Sequence, residues 1–156
     1  MKVANLTAGE FFARLAVAAA LGIVIGFERQ WRQRAAGLHT SSLVAIGAAM
    51  FGLLDETLGA GDTTRIVAGI VTGVGFIAGG AILRSGVNVT GLNTAATMWA
   101  TAAVGALSAF GFYPQAAAGA AAIVALNLLV EPLIRAIDSS VQRTATKRPP
   151  RSRDSG

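Results

Sequence analysis

The chain has no cysteine and a single histidine. The first absence excludes disulfides and thiolate metal sites. The second leaves no material for a histidine-rich metal site. Charge is scarce as well. Only 13% of residues are Asp, Glu, Lys or Arg, against about 25% in an average soluble domain. No Gly-Lys phosphate loop, paired-histidine metal motif or Ser/His/Asp set is present, so neither an enzyme nor a cofactor is expected.

What fills the chain instead is apolar. Hydrophobic residues make up 53% of its 156 positions, and the mean hydropathy is +0.58. Residues 15–27, 66–83 and 87–130 carry no charge at all. A membrane span needs roughly 20 mostly apolar residues. A soluble helical bundle would need a polar face on each helix, and several of these segments are apolar all round. The pattern predicts an all-α membrane protein with five transmembrane helices, at residues 11–27, 41–58, 65–83, 94–112 and 113–137. The first apolar run continues through Ala18, Ala19 and Ala20 into a charged loop, so it reads as an uncleaved span rather than a signal peptide.

Lys and Arg set the expected direction. Arg29, Arg32 and Arg34 follow span one, Arg84 follows span three, and Arg143, Lys147, Arg148, Arg151 and Arg153 follow span five. The loop after span two, "DETLGAGDTTR", is mostly acidic. All basic segments share one face if the N-terminus is outside and the C-terminus cytoplasmic. Arg14 is the exception, placed to snorkel from the outer end of span one. The net charge is +5, and residues 139–156 supply +4 of it, as five basic residues against one acidic. Their composition is that of a disordered tail, serving as a topology signal or touching anionic headgroups. Positive charge gathered at a membrane face speaks against nucleic-acid binding.

A repeat runs through the spans. "AGLHTSSLVAIGAAMFGL" from Ala36 aligns with "TGLNTAATMWATAAVGAL" from Thr90 at an offset of 54. Gly37 matches Gly91, Leu38 matches Leu92, and Thr40 matches Thr94. Spans 1–2 and 3–4 then form two parallel units, with chance similarity among Ala- and Gly-rich helices as the competing explanation. In each unit the glycine allows a tight turn. Thr40 and Thr94, or His39 and Asn93, are expected to cap the following helix.

Span three carries Gly69, Gly73, Gly75 and Gly79, two small-xxx-small pairs suited to helix packing in lipid. The alternative is an unwound segment facing a ligand. Polar residues inside spans are costly and mark candidate sites. Thr94, Thr97 and Thr101 lie on one helical face, and Thr72 and Asn93 add to the set. Asn127 is expected to reach a neighbouring helix, and Glu131 to pair with Arg135. Glu28 is the leading candidate. It is placed to form an ion pair with Arg32 or Arg84, or to bind a cation or a proton at the cytoplasmic mouth. Arg29, Arg32 and Arg84 crowd it, which makes a poor dehydrated Mg²⁺ site.

Three stretches, "GFERQWRQRAAGLHTSSLVAIGAAMF", "RIVAGIVTGVGFIAGGAILRSG" and "VTGLNTAATMWATAAVGALSAFGFY", resemble the MgtC/SapB family of bacterial inner-membrane proteins. The likeness covers residues 10–137 and makes residues 1–138 the family's transmembrane domain. It implies five spans, an outer N-terminus, and a link to growth under Mg²⁺ limitation and to survival inside host cells. It also implies regulation through membrane partners, ATP synthase among them. Many members carry a soluble C-terminal domain that this chain is expected to lack. His39, Asn93 and Gly69 stand where the family often has Arg, Thr and Gln. Two functions follow. One is a regulator of Mg²⁺ homeostasis that acts in the bilayer through a protein partner or its own oligomer. The other is a small Mg²⁺ or proton transporter with Glu28 at its mouth.

Overall fold

The computed structural model describes residues 6–59 and 62–146, with side chains as far as 130. Five helices follow in order: α1 (Ala8–Trp31), α2 (Leu38–Leu58), α3 (Thr63–Gly79), α4 (Leu92–Ala109) and α5 (Tyr113–Thr146). Two compact units divide the chain, Met1–Val124 and Ala125–Gly156. The first holds α1 to α4 and the start of α5. The second holds the rest of α5, where Leu126, Leu128 and Leu129 are exposed.

Local chemistry sets the helix ends. Thr7 and Glu10 form a capping box at α1: the Thr7 hydroxyl accepts from the Glu10 amide at 3.2 Å, and Glu10 accepts from the Thr7 amide at 3.0 Å. The Asp62 carboxylate accepts from the Arg65 amide at 3.2 Å and so caps α3. The expected threonine caps of α2 and α4 are not formed. Those helices begin one residue after Gly37 and Gly91, which cap without any side-chain bond. Gly91 sits at φ +89, and a Cβ there would lie 1.9 Å from the Ala81 carbonyl oxygen.

Span three ends sooner than expected. Helix α3 stops at Gly79, and Leu83–Ser85 (β1) pairs antiparallel with Asn88–Thr90 (β2). Gly86 takes φ +62, the positive φ that a two-residue hairpin turn can require at its first position. At 17 residues, α3 is roughly 26 Å long, short of the roughly 30 Å of a hydrocarbon core. Three described helices are long and apolar enough to cross a membrane: Ala8–Trp31, Leu38–Leu58 and the first part of α5 through Val130.

Alanine builds the core. Ala18, Ala49 and Ala109 pack with Leu53. Ala116 and Ala120 of α5 meet Ile25 and Val104. Ala48, Ala102 and Ala106 surround Ile70. Helix α4 is central, touching α1, α2 and α3. Such small side chains let backbones approach closely. A Cβ at Gly105 would lie 2.2 Å from the Ala45 carbonyl oxygen, and one at Gly26 2.6 Å from Leu38 Cα.

Candidate functional site

The charged turn after α1 is built around Arg29 rather than Glu28 alone. Both lie in the last turns of α1, and both are buried. Arg29 is 2% exposed. Its Nη2 donates to the Ala35 carbonyl at 2.9 Å and to the Thr94 hydroxyl at 2.8 Å. One guanidinium thus joins α1, the 32–37 turn and the first turn of α4. Glu28 pairs with Arg32, Oε1 to Nε 3.3 Å, the first of the two pairings that the sequence allows. Gln33 and Ala36 take positive φ in this turn. Gly37 does not. Its lack of a side chain makes room for Gln30, whose Oε1 would lie 2.2 Å from a Cβ.

Arg84, the other expected partner of Glu28, lies elsewhere. It lies on the exposed β1–β2 hairpin, where its Nε donates to the Gly86 carbonyl at 3.0 Å. The second connection is therefore a hairpin, while the first is a buried ionic turn. Only the Gly-capped helix starts recur. Leu38 and Leu92 open those helices with exposed side chains. Thr40 and His39 line a groove between α2 and α3 together with Gly69 and Gly73.

Two of the three threonines on the α4 face donate back to their own helix. Thr97 donates to the Asn93 carbonyl at 2.8 Å, and Thr101 to the Thr97 carbonyl at 2.7 Å. Thr72 on α3 donates to Ala68 at 2.9 Å. The glycines of α3 meet nothing in this chain: a Cβ at Gly69, Gly73, Gly75 or Gly79 would find no atom within 4 Å. Asn127 is half-buried in the second unit. The expected pair of Glu131 and Arg135 and the last ten residues of the tail lie outside the described side chains and residues, while the α5 backbone runs on past residue 139 to Thr146.

A second polar cluster was missed in the sequence. Arg14 pairs with Glu56 and donates to the Ala109 carbonyl at 2.8 Å, tying α1, α2 and α4 at the end opposite the ionic turn. Arg14 is thus engaged within the chain, joining three helices. Beside it Asp55 is 4% exposed. Its Oδ2 accepts from the Thr63 hydroxyl at 3.2 Å, and its Oδ1 has no hydrogen-bond partner. The signal was two opposite charges, 42 positions apart, at the same end of consecutive antiparallel helices. No group of three or more His, Cys, Asp or Glu able to hold a metal occurs among the described residues.

Long apolar helices, small-residue packing and buried ionic latches together define a helical protein of membrane type. The MgtC family profile matches residues 15–136, and the chain belongs to that family. It is 47% identical over 139 residues to "Protein MgtC" of Brucella abortus, covering 88% of this chain and 58% of that protein. It is 48% identical over 120 residues to "Protein MgtC" of Salmonella typhimurium, covering 77% and 52%. An uncharacterized protein of Synechocystis is 50% identical over 125 residues, covering 80% and 53%. The chain thus spans little more than half the length of these relatives. No solved structure matches it.

Proposed function

We propose that the chain is a five-span bacterial inner-membrane protein, N-terminus outside, tied to Mg²⁺ homeostasis and acting as a regulator through contact with another membrane protein or a second copy of itself. The family and the MgtC relatives support the Mg²⁺ link. One observation carries the mode of action. A Cβ at Gly69, Gly73, Gly75 or Gly79 would meet no atom of this chain, which leaves room beside α3 for a partner helix. Thr94 accepts from the buried Arg29 guanidinium, and Glu28 is paired with Arg32, so two of the groups that would line an ion path are already held by arginines. Both pairings disfavour transport.

Two measurements test the reading. A photo-reactive residue at Gly73 in native membranes is expected to capture one discrete partner, and Gly69→Ile to cut that yield about tenfold. Proteoliposomes of the pure protein are expected to show no Mg²⁺ or proton flux. Flux that Glu28→Gln abolishes would replace the regulator with a transporter.

A further inference from the structure

Two strands alone are marginally stable in water at best, and the β1–β2 hairpin has no cover within this chain. All its strand residues are exposed, and Val87 in its turn is 93% exposed. Depth says what lies against it. Arg65 begins the uncharged part of α3, and Arg84 is the next charge along the chain. The helix from Arg65 to Gly79 rises roughly 21 Å. Residues 80–83 therefore complete the crossing of a hydrocarbon core of roughly 30 Å, and Arg84 arrives at headgroup depth. Phe76 and Ile77, exposed near the end of α3, lead to the exposed Leu83 with no polar residue between them. The hairpin thus continues the surface that faces acyl chains. It goes no deeper than the headgroups, because the outer backbone groups of a two-stranded sheet find no partner in hydrocarbon.

Charge selects the lipid. Arg84 and Val89 are cross-strand partners and share a face. Arg84 Nε donates to the Gly86 carbonyl, and no acidic residue occurs between Asp62 and Glu131 to balance its charge. The Arg29–Thr94 bond places the start of α4, and with it the hairpin, at the end that carries Arg32 and Arg34. Trp31 lies at that end too, exposed and 6.0 Å from the Phe27 ring, as aromatics at a membrane interface do. We propose that the hairpin is an interfacial foot. Val87 and Val89 rest at the boundary of headgroups and acyl chains, and Arg84 binds the phosphate of an anionic lipid. This rests on the membrane-spanning reading above.

The chain has no cysteine, so a single introduced one carries a reporter. Val87→Cys and Ala20→Cys, the latter on the exposed side of α1 near its middle, are labelled with bimane in the full chain in nanodiscs. The quenchers are aqueous iodide and lipids with a nitroxide near the headgroup or near the chain end. The Val87→Cys label is expected to be quenched at least about threefold better by the shallow nitroxide than by the deep one. The Ala20→Cys label should show the reverse order. Shallow-nitroxide phosphatidylglycerol is expected to quench the Val87→Cys label about fivefold better than its phosphatidylcholine counterpart, the factor of one cation near an anionic surface. Arg84→Gln should remove most of that preference, and Arg84→Lys should keep it. Quenching by iodide alone puts the hairpin in water and overturns the proposal. Shielding from all the quenchers means that protein covers it, which also overturns the proposal. A phosphatidylglycerol preference that survives Arg84→Gln overturns the role of Arg84. Loss of deep quenching at Ala20→Cys instead overturns the spanning reading, so the two failures are distinct.

Discussion

Arg29 places a guanidinium where almost no water reaches, with Nη2 shared between the Ala35 carbonyl and the Thr94 hydroxyl and with Nε unpartnered. Burial of a charge is tolerable only when its donors are met. The Thr94 hydroxyl is therefore a structural acceptor, and its neighbours Thr97 and Thr101, which bond their own helix, are not comparable to it. Thr94→Val is expected to lower stability by about 1–3 kcal/mol, the loss of a hydrogen bond to a charged group. Thr94→Ser should recover most of it. Arg29→Lys should behave like the valine variant, because a single ammonium cannot reproduce the planar fork of donors. Unfolding midpoints in detergent, followed by circular dichroism, decide the matter. An unchanged midpoint for Thr94→Val would remove the Arg29 bridge from the account of the fold.

At the level of elements, glycine has two opposite meanings that spacing alone does not separate. Gly69 and Gly73 have the sequence signature of packing, yet they face open space. Gly105, with Ala109 four residues on, has the same small-residue spacing and is pressed against the Ala45 backbone. Periodicity tells which residues share a face, but it does not tell which face another helix of the same chain covers. For the same reason the apolar runs of α1, α2 and α5 were legible, since length and hydropathy are local properties. The early end of α3 was not, because the Gly79-Gly80 pair reads equally well as packing or as a stop until the 83–90 hairpin is seen. The glycine turns at 37 and 91 were legible as positions, while their caps were read wrongly from the threonines beside them. The distinction gives a paired prediction. Gly105→Ala drives a Cβ into backbone and is expected to cost about 1–3 kcal/mol, as overpacking does. Gly73→Ala meets nothing, and is expected to stabilise the helix by about 0.5–1 kcal/mol while weakening partner capture. Thermal unfolding of the two purified variants should therefore move in opposite directions.

Across the whole first unit, two latches divide the labour. Arg29 closes one end through Thr94, and Arg14 closes the other through Glu56 and Ala109. Both join α1 to α4, and the 15 positions between the two arginines place them roughly 22 Å apart along α1. Helix α3 belongs to neither latch and buries only Ile70 and Ala78. The first unit thus combines a clamped set of α1, α2 and α4 with a lightly held α3. Arg14 and Glu56 are 16% and 26% exposed, so their pair lies between the surface and buried limits, with a coupling on the order of 1–2 kcal/mol. A double-mutant cycle of Arg14→Gln and Glu56→Gln measures it. The single changes are expected to destabilise by more than the coupling suggests, since each leaves one partly buried charge alone, and the double change should recover part of the loss. Hydrogen exchange reads the same division directly. Arg14→Gln is expected to speed exchange at the start of α1 and at the ends of α2 and α4, and to leave α3 unchanged. Equal acceleration throughout α3 would mean that the latch holds α3 as well, and that the molecule opens as a single unit.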